Sequence, residues 1–395
     1  MIYWVWLSER LGYGNDKLIP LLSKFGSAEA IYKADPTSFI REFSLDDKTV
    51  KSLANKSLKR CENIIAACKQ YNIEILPFCD EKYPELLRNI PSAPAALYYK
   101  GRLPEFNNLP IISIVGTRKA DEYSLKVSWS LSARLSLANF IIVSGGALGI
   151  DSAAHRGAID TNGTTVALLA CGINYPYLKS YEELRNKITE NGCLISEFPP
   201  NYPLKKYAFH LRNRLISGLS LGTVIIEAGE NSGALITARN ANEQGRDVFV
   251  ITGKPNDIKY QGSYALLKDG AIPVFKAGDI ISEYINAFGN IINTTKSEGF
   301  DLNGLYRSKY SANSDKKSDM RAESKPVDKK ITQKTNLTLS KNAEIVYNSI
   351  NIEFFTIDDL ADTGLSVGDI FSAFTELELL GLIKAVPGGR YSKTE

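Results

Sequence analysis

The stretch Phe140 to Ile159, FIIVSGGALGIDSAAHRGAI, carries chemistry most plainly. Its apolar run ends at Val143. Ser144, Gly145, Gly146, Ala147, Leu148 and Gly149 follow, before an Ala-rich helical stretch from about Asp151. Such a loop exposes backbone N–H groups, admits a phosphate closely and sets a helix dipole behind it. Phosphate binding is the expected chemistry, and other residues bear on whose phosphate. Arg118 directly follows the apolar run IISIVG, 111–116. In KKYAFHLRNRLISGLS, 205–220, Lys205, Lys206, His210, Arg212 and Arg214 surround Tyr207 and Phe209. Cations meet phosphates and rings stack on bases, so this interleaving suits a single nucleic-acid strand. Lys206 and Phe209 share a helical face, whereas Arg212 and Arg214 splay, so one of those arginines faces the site squarely. A basic amphipathic helix end with Phe209 in the core would produce the same pattern.

Other chemistries find little footing. VGTRKADEYS lacks GxGxxG, and no GxxxxGK[ST] occurs, so NAD and ATP are not expected. Ser144 sits in no GxSxG elbow. Glu197 and Glu227 end strands and could serve as acid or base, but a glutamate there is more often a helix cap or an arginine partner. Five cysteines without CxxC spacing and two histidines argue against zinc. No catalytic residue, metal or cofactor is expected. Asp151 and Ser152 read as caps of the helix after the glycine loop. His155 and Arg156 read as helix surface or as partners of Asp151.

The elements that must position these residues follow from periodicity. Residues 1–75 read as short helices, with Leu7, Leu11, Leu18, Leu21, Leu22 and Phe25 at helical spacings. Gly12, Gly14 and Gly26 punctuate them, in the manner of a helix-hairpin-helix or SAM-like bundle. Such a hairpin offers N–H groups to phosphate in its DNA-binding form; a plain packing domain is the stronger reading. Over 76–290 seven apolar runs alternate with helical stretches: 111–116, 140–145, 165–172, 193–198, 223–229, 247–253 and 272–275. That pattern predicts an α/β fold, a Rossmann-like, doubly wound, mostly parallel sheet covered on both faces. Several runs end in glycine, which suggests a backbone-lined trough at the strand ends. Residues 291–340 are polar, Lys- and Ser-rich and aperiodic, and read as a disordered linker. Residues 341–395 read as three helices and a β-wing with a PGG turn, a winged helix.

Bulk properties set limits. At 395 residues the chain exceeds one ordinary core, and its 44% apolar and 23% charged content are those of a globular protein. A net charge of +3 means that any nucleic-acid surface comes from local clustering. The odd number of cysteines suits buried thiols in a reducing compartment. MIYWVWLSER lacks a basic n-region and a cleavage site, and no run reaches membrane-spanning length. A cytoplasmic protein without a membrane partner is expected.

With these residues in hand, the chain closely resembles the DprA/Smf family of DNA-processing proteins over about residues 80–285. The resemblance rests on IVGTR, SGGALGIDSAAHRGAI, LISEF, F-x-x-RNR-x-I-x-GLS (Phe209 to Ser220), VIIEA followed by SGALITARNANEQGR, and LLKDGA. It implies a single-stranded DNA-binding recombination mediator of natural transformation, which protects incoming strands and helps load the recombinase RecA without catalysis. It implies a homodimer formed through the Rossmann domain. Carried over by position, Arg118, Ser144, Gly145, Gly146, Lys206, Phe209 and Arg212 form the strand-binding set. Thr252-Gly253, Gly262-Ser263-Tyr264 and the position near Lys179 depart from the family's usual residues. The alternative is a Rossmann-type nucleotide-processing enzyme, similar to phosphoribohydrolases, although their PGGxGTxxE signature is missing. The tail's expected recognition helix, Ser366 to Leu380, carries Asp369, Glu376 and Glu378 and no cation. Phosphate would repel it, so a protein contact is expected there instead of major-groove reading, with Lys384 and Arg390 on the wing at most touching backbone.

Overall fold

The apolar runs between 111 and 251 become strands because they are buried on both faces, where β-branched side chains pack well, and the run 272–275 adds a half-exposed edge strand. The structure is a computed structural model. It describes residues 1–299 except 36–38, 40–44, 178–180 and 254–255, and residues 340–393 except 351–354, 356–357, 366–368, 371–372, 374–375, 378–381 and 387–389. Contacts divide the chain into two units, Met1–Lys316 and Lys317–Glu395.

The first unit holds a nine-stranded sheet. Its strands are β1 (Glu74–Pro77), β2 (Ala96–Gly101), β3 (Ile111–Val115), β4 (Ile141–Ser144), β5 (Thr165–Leu169), β6 (Gly192–Ser196), β7 (Gly222–Ile225), β8 (Asp247–Ile251) and β9 (Ile272–Val274). Their spatial order is β1-β2-β6-β5-β4-β3-β7-β8-β9. β1 and β2, and β2 and β6, pair antiparallel; every other pair is parallel. The chain winds outward from β3 through β4 and β5 to β6. It then crosses back and continues through β7 and β8 to β9 on the other side of β3. The winding therefore reverses between β3 and β7, where an open α/β sheet parts its loops and leaves a crevice.

Helices cover both faces. Ile112, Ile114, Ile142 and Val224 pack with Leu135 and Ala154 of the Glu122–Leu137 and Ile150–Asp160 helices. Val115, Val143 and Leu168 face Leu215 and Ala238 of the Lys206–Gly218 and Gly233–Glu243 helices. Each fully buried Ile or Leu contributes about 1.5–3 kcal/mol. Ser113 and Thr223, buried side by side on β3 and β7, satisfy each other at 2.8 Å.

The N-terminal residues form helices Ile2–Leu11, Leu18–Phe25, Ala28–Lys33, Asp47–Ala54 and Lys59–Gln70. Trp6, Leu7, Leu21, Ile31 and Leu53 share one core with Tyr98, Ala167 and Leu194 of the sheet. A short helix, Thr294–Gly299, lies at the start of the expected linker, and Ser297 Oγ donates to the Arg134 carbonyl at 2.9 Å. The rest of that segment, 300–339, lies outside the described residues.

In the second unit a helix, Lys341–Ser349, precedes a 3₁₀ turn, Asp358–Thr363, and an antiparallel hairpin, β10 (Ile383–Val386) with β11 (Arg390–Lys393). Val346, Phe355, Leu360, Ile370, Leu377 and Ile383 make its core. This is a winged helix. Much of its expected recognition helix lies outside the described residues.

Candidate functional site

A groove of about 770 Å³ opens at the carboxyl ends of β3 and β7, at the reversal point of the sheet. Gly116, Thr117 and Arg118 leave β3 into it. Glu227 and Gly229 enter from the end of β7, and Lys206, Phe209, His210 and Arg212 come from the crossover helix between β6 and β7.

The rim carries the exposed cations. The Arg118 guanidinium carbon stands 4.5 Å from the centre of the Phe209 ring, a cation–π contact. Phe209 is half-buried and meets Tyr177 edge-on at 6.4 Å. Lys206, one turn earlier on the same helical face, is exposed. Three residues expected from sequence to share a site therefore line one groove. Lys119 and Lys259 line the groove as well. Lys119 follows Arg118 and could have been read with it. Lys259 gave no signal, because only the fold brings residue 259 beside β3. Lys259 is paired with Asp121 at 3.1 Å.

The floor is built differently. Arg212 is 4% exposed, and its Nη1 donates to the Leu168 carbonyl at 2.8 Å. Burial holds its pKa below the usual range, although Asp151 opposes this. Asp151 is buried in turn. Desolvation pushes its carboxyl up, against the pull of Arg212. Of the two splayed arginines only Arg212 lines the groove. Arg214 forms a buried ion pair with Glu197 and donates to the Ser92 carbonyl. Glu197 is thus an arginine partner, the more common role for a glutamate at a strand end.

Of the glycine loop, Ala147 lines the groove, whereas Ser144, Gly145 and Gly146 do not. Ser144 is fully buried, and its hydroxyl donates to the Ile114 carbonyl at 2.6 Å. Gly145 is buried beneath Arg212, where a Cβ would overlap the guanidinium and crowd the Asp151 carboxylate. Gly146, in a left-handed conformation (φ 63°), also lies off the lining. Of the three residues expected to face the ligand, Ser144 and Gly145 are buried and Gly146 is partly exposed. Two N–H groups here are spent inside the chain: Ala147 N–H donates to Asp151 Oδ2 at 3.3 Å, and Ile150 N–H to the Thr117 carbonyl at 3.2 Å. At Gly149 (φ 76°) a Cβ would strike the Thr117–Arg118 backbone, so this glycine lets the loop seat the Arg118 turn.

Two neighbours also differ from expectation. The Ile150–Asp160 helix is capped by Gly149 with no side-chain cap. Asp151 sits inside the first turn and grips the loop, while the Ser152 hydroxyl donates to the Gly149 carbonyl at 2.8 Å. His155 is wholly buried, with Nδ1 2.7 Å from the Thr165 hydroxyl. Desolvation, with Arg212 adding to it, pushes its pKa down to about 3.

The N-terminal hairpin glycines are occupied as well. Gly12 N–H donates to the Ser8 carbonyl at 3.1 Å, and Gly14 N–H to Glu197 Oε1 at 3.3 Å. Neither is free for phosphate. In the winged helix, Glu376 accepts from the Ser340 amide and hydroxyl at 2.8 and 2.6 Å, and Asp369 from Asn342 at 3.3 Å. Two of the three acidic residues there hold the first helix of that unit; Glu378 lies outside the described residues. Among the described residues no cluster of three or more His, Cys, Asp or Glu could hold a metal. No described helix is long and apolar enough to cross a membrane.

These features define a class: a doubly wound α/β protein with a cation-and-aromatic groove at its switch point, followed by a winged helix. The family model of DNA recombination-mediator protein A matches residues 74–285, more than half of the chain, and that of the DprA winged helix domain matches 332–389. The chain belongs to the DprA/Smf family of DNA-processing proteins. It is 29% identical to Protein Smf of Synechocystis over 99% of this chain and 98% of that one. It is 33% identical to DNA processing protein DprA of Bacillus subtilis over 64% of this chain and 88% of that one. Its structure is similar to that of DNA processing protein A from Streptococcus pneumoniae, with a TM-score of 0.63 and 28% identity over 72% of this chain and 98% of that one. It is also similar to a structure that concerns the single-stranded DNA binding mode of DNA processing protein A from Helicobacter pylori. There the TM-score is 0.50 with 28% identity, over 54% of this chain and 96% of that one.

Proposed function

We propose that the groove binds single-stranded DNA, and that the protein is a recombination mediator of natural transformation that shields incoming strands and passes them to RecA. The observation that carries this reading is the Arg118–Phe209 contact in an open crevice that Lys206 also lines. Exposed cations exchange hydration for phosphate at little cost, and a half-buried ring offers one face to a base. The crevice is a trough open to solvent, which suits a polymer passing through better than an enclosed nucleotide. The name of the Helicobacter pylori relative's structure agrees with this. In this reading Arg118, Lys206 and Phe209 contact the strand. Arg212 sets the floor beneath it, and Ser144, Gly145 and Gly146 act through the shape they give that floor. No catalytic residue is assigned. The protein works in the cytoplasm as a homodimer joined through its sheet domain, and the winged helix contacts protein, not a DNA major groove.

The test is competition binding. A labelled single strand is displaced by unlabelled single strand and by duplex of the same sequence across a salt series. Preferential displacement by single strand, with affinity falling as salt rises, is expected. Equal displacement by duplex would contradict the reading.

A further inference from the structure

Glu227 stands two residues beyond the end of β7 and lines the groove. Its carbonyl accepts from Thr117 N–H at 3.0 Å, which fixes it beside the Arg118 turn. The residue is 3% exposed, yet its Oε2 has no hydrogen-bond partner. A buried carboxylate oxygen without a donor carries a desolvation cost. The Ser124 hydroxyl, 2.8 Å from the Tyr260 hydroxyl, also bears on the Glu227 carboxyl, and Lys259 is paired with Asp121. Burial pushes the Glu227 carboxyl above its usual range, against the pull of Ser124 and Lys259. A carboxylate is thus held in a groove whose rim carries the exposed Arg118, Lys119, Lys206 and Lys259.

The chemistry of a DNA strand narrows what such an acceptor can meet. Phosphates are anionic acceptors and are repelled by it. Deoxyribose lacks the 2′-hydroxyl donor of RNA. The donors left are on base edges, above all the exocyclic amino groups of cytosine, adenine and guanine. Thymine has no amino group, and its ring N–H is flanked by two carbonyl oxygens that a carboxylate repels. We propose that Glu227 reads a base: it accepts a hydrogen bond from the exocyclic amino group of one nucleotide in the groove and sets a preference for cytosine over thymine there. This rests on the strand-binding reading of the groove. It divides the crevice into a phosphate side, at Arg118 and Lys206, and a base-edge side, at Glu227.

The experiment measures affinity for dC and dT homopolymers of equal length by fluorescence anisotropy, with the full chain and with Glu227→Leu, Glu227→Gln and Lys206→Ala. The wild type is expected to favour dC about tenfold, the size of one good base-edge contact. Glu227→Leu brings dC down to the affinity of dT. Glu227→Gln, nearly the same shape and still an acceptor, gives an intermediate ratio and guards against loss of fold. Lys206→Ala weakens both strands equally and keeps the ratio. Equal binding of dC and dT by the wild type, with both weakened by Lys206→Ala, overturns the base-reading role and leaves the groove reading intact. A preference that survives Glu227→Leu also overturns it. Binding to neither strand overturns both readings. Release of free base from a nucleoside monophosphate, lost in Glu227→Gln, would overturn the role in favour of an enzyme.

Discussion

The rim and the floor of the groove each carry an arginine, and the two are placed in opposite ways. Arg118 is exposed, with its guanidinium over the Phe209 ring. Arg212 is buried, hydrogen-bonded to the Leu168 carbonyl and set close to Asp151, above a glycine that leaves room for it. A cation at the rim can trade water for phosphate. A cation in the floor has already lost its water, and its neighbours fix where it stands. The same residue type therefore serves the ligand at one level and the architecture at the other. Exposure, not charge alone, marks which residues should govern affinity and which should govern stability.

The comparison breaks most visibly at Gly145. Gly145→Val would drive a branched side chain into the buried Arg212 and Asp151 and separate them. Unfolding free energy should fall by about 3 kcal/mol or more, read by denaturant titration. A stability unchanged by this variant would mean that the floor is not locked.

Next in size is the effect of pH on His155. Its pKa of about 3 in the folded chain lies below the ordinary histidine value of 6.5. The unfolded chain therefore binds the proton more readily, and stability is present above pH 6.5 and lost as pH falls through the window down to about 3. Between pH 7 and pH 5 the wild type should lose about 2 kcal/mol more than His155→Gln. Parallel pH profiles for the two proteins would refute the burial argument.

Rim changes should have the reverse profile. Phe209→Ala should cost roughly tenfold in single-strand affinity through lost stacking, while Phe209→Tyr retains it. Lys205, whose ammonium lies 5.4 Å from the centre of the Tyr202 ring and off the groove, provides the smallest effect. Lys205→Ala should change affinity less than about threefold, since an exposed charge outside the site contributes little. A larger loss would extend the strand's path beyond the groove.

How much of this was legible depended on range. The seven parallel strands were readable because each is a continuous apolar run bounded by turn residues. β1 and β2 were not resolved as strands. Glu74 to Pro77 is too short to show a period, and the antiparallel pairing of β2 with β6 links residues far apart in sequence. Lys206 and Phe209 were readable because helical spacing places them on one face. Spacing alone did not choose between Arg212 and Arg214, and only the resemblance favoured Arg212, since both are buried and each partner, Leu168 or Glu197, comes from another strand end. His155 looked like helix surface because nothing local announces Thr165. The packing of the glycine loop was hidden for the same reason. Its composition fits a phosphate cradle, and only the packing of Arg212 and the Arg118 turn shows what the missing side chains make room for.

The central claim, that exposed rim cations bind a single strand at the switch point, is tested most directly by the salt dependence of strand affinity in the double variant Arg118→Ala, Lys206→Ala. Each single-strand phosphate contact contributes about 0.7 to the slope of log affinity against log salt. The double variant should bind more weakly, with the slope reduced by about 1.4 and its thermal stability held. A slope and affinity equal to those of the wild type would contradict the claim.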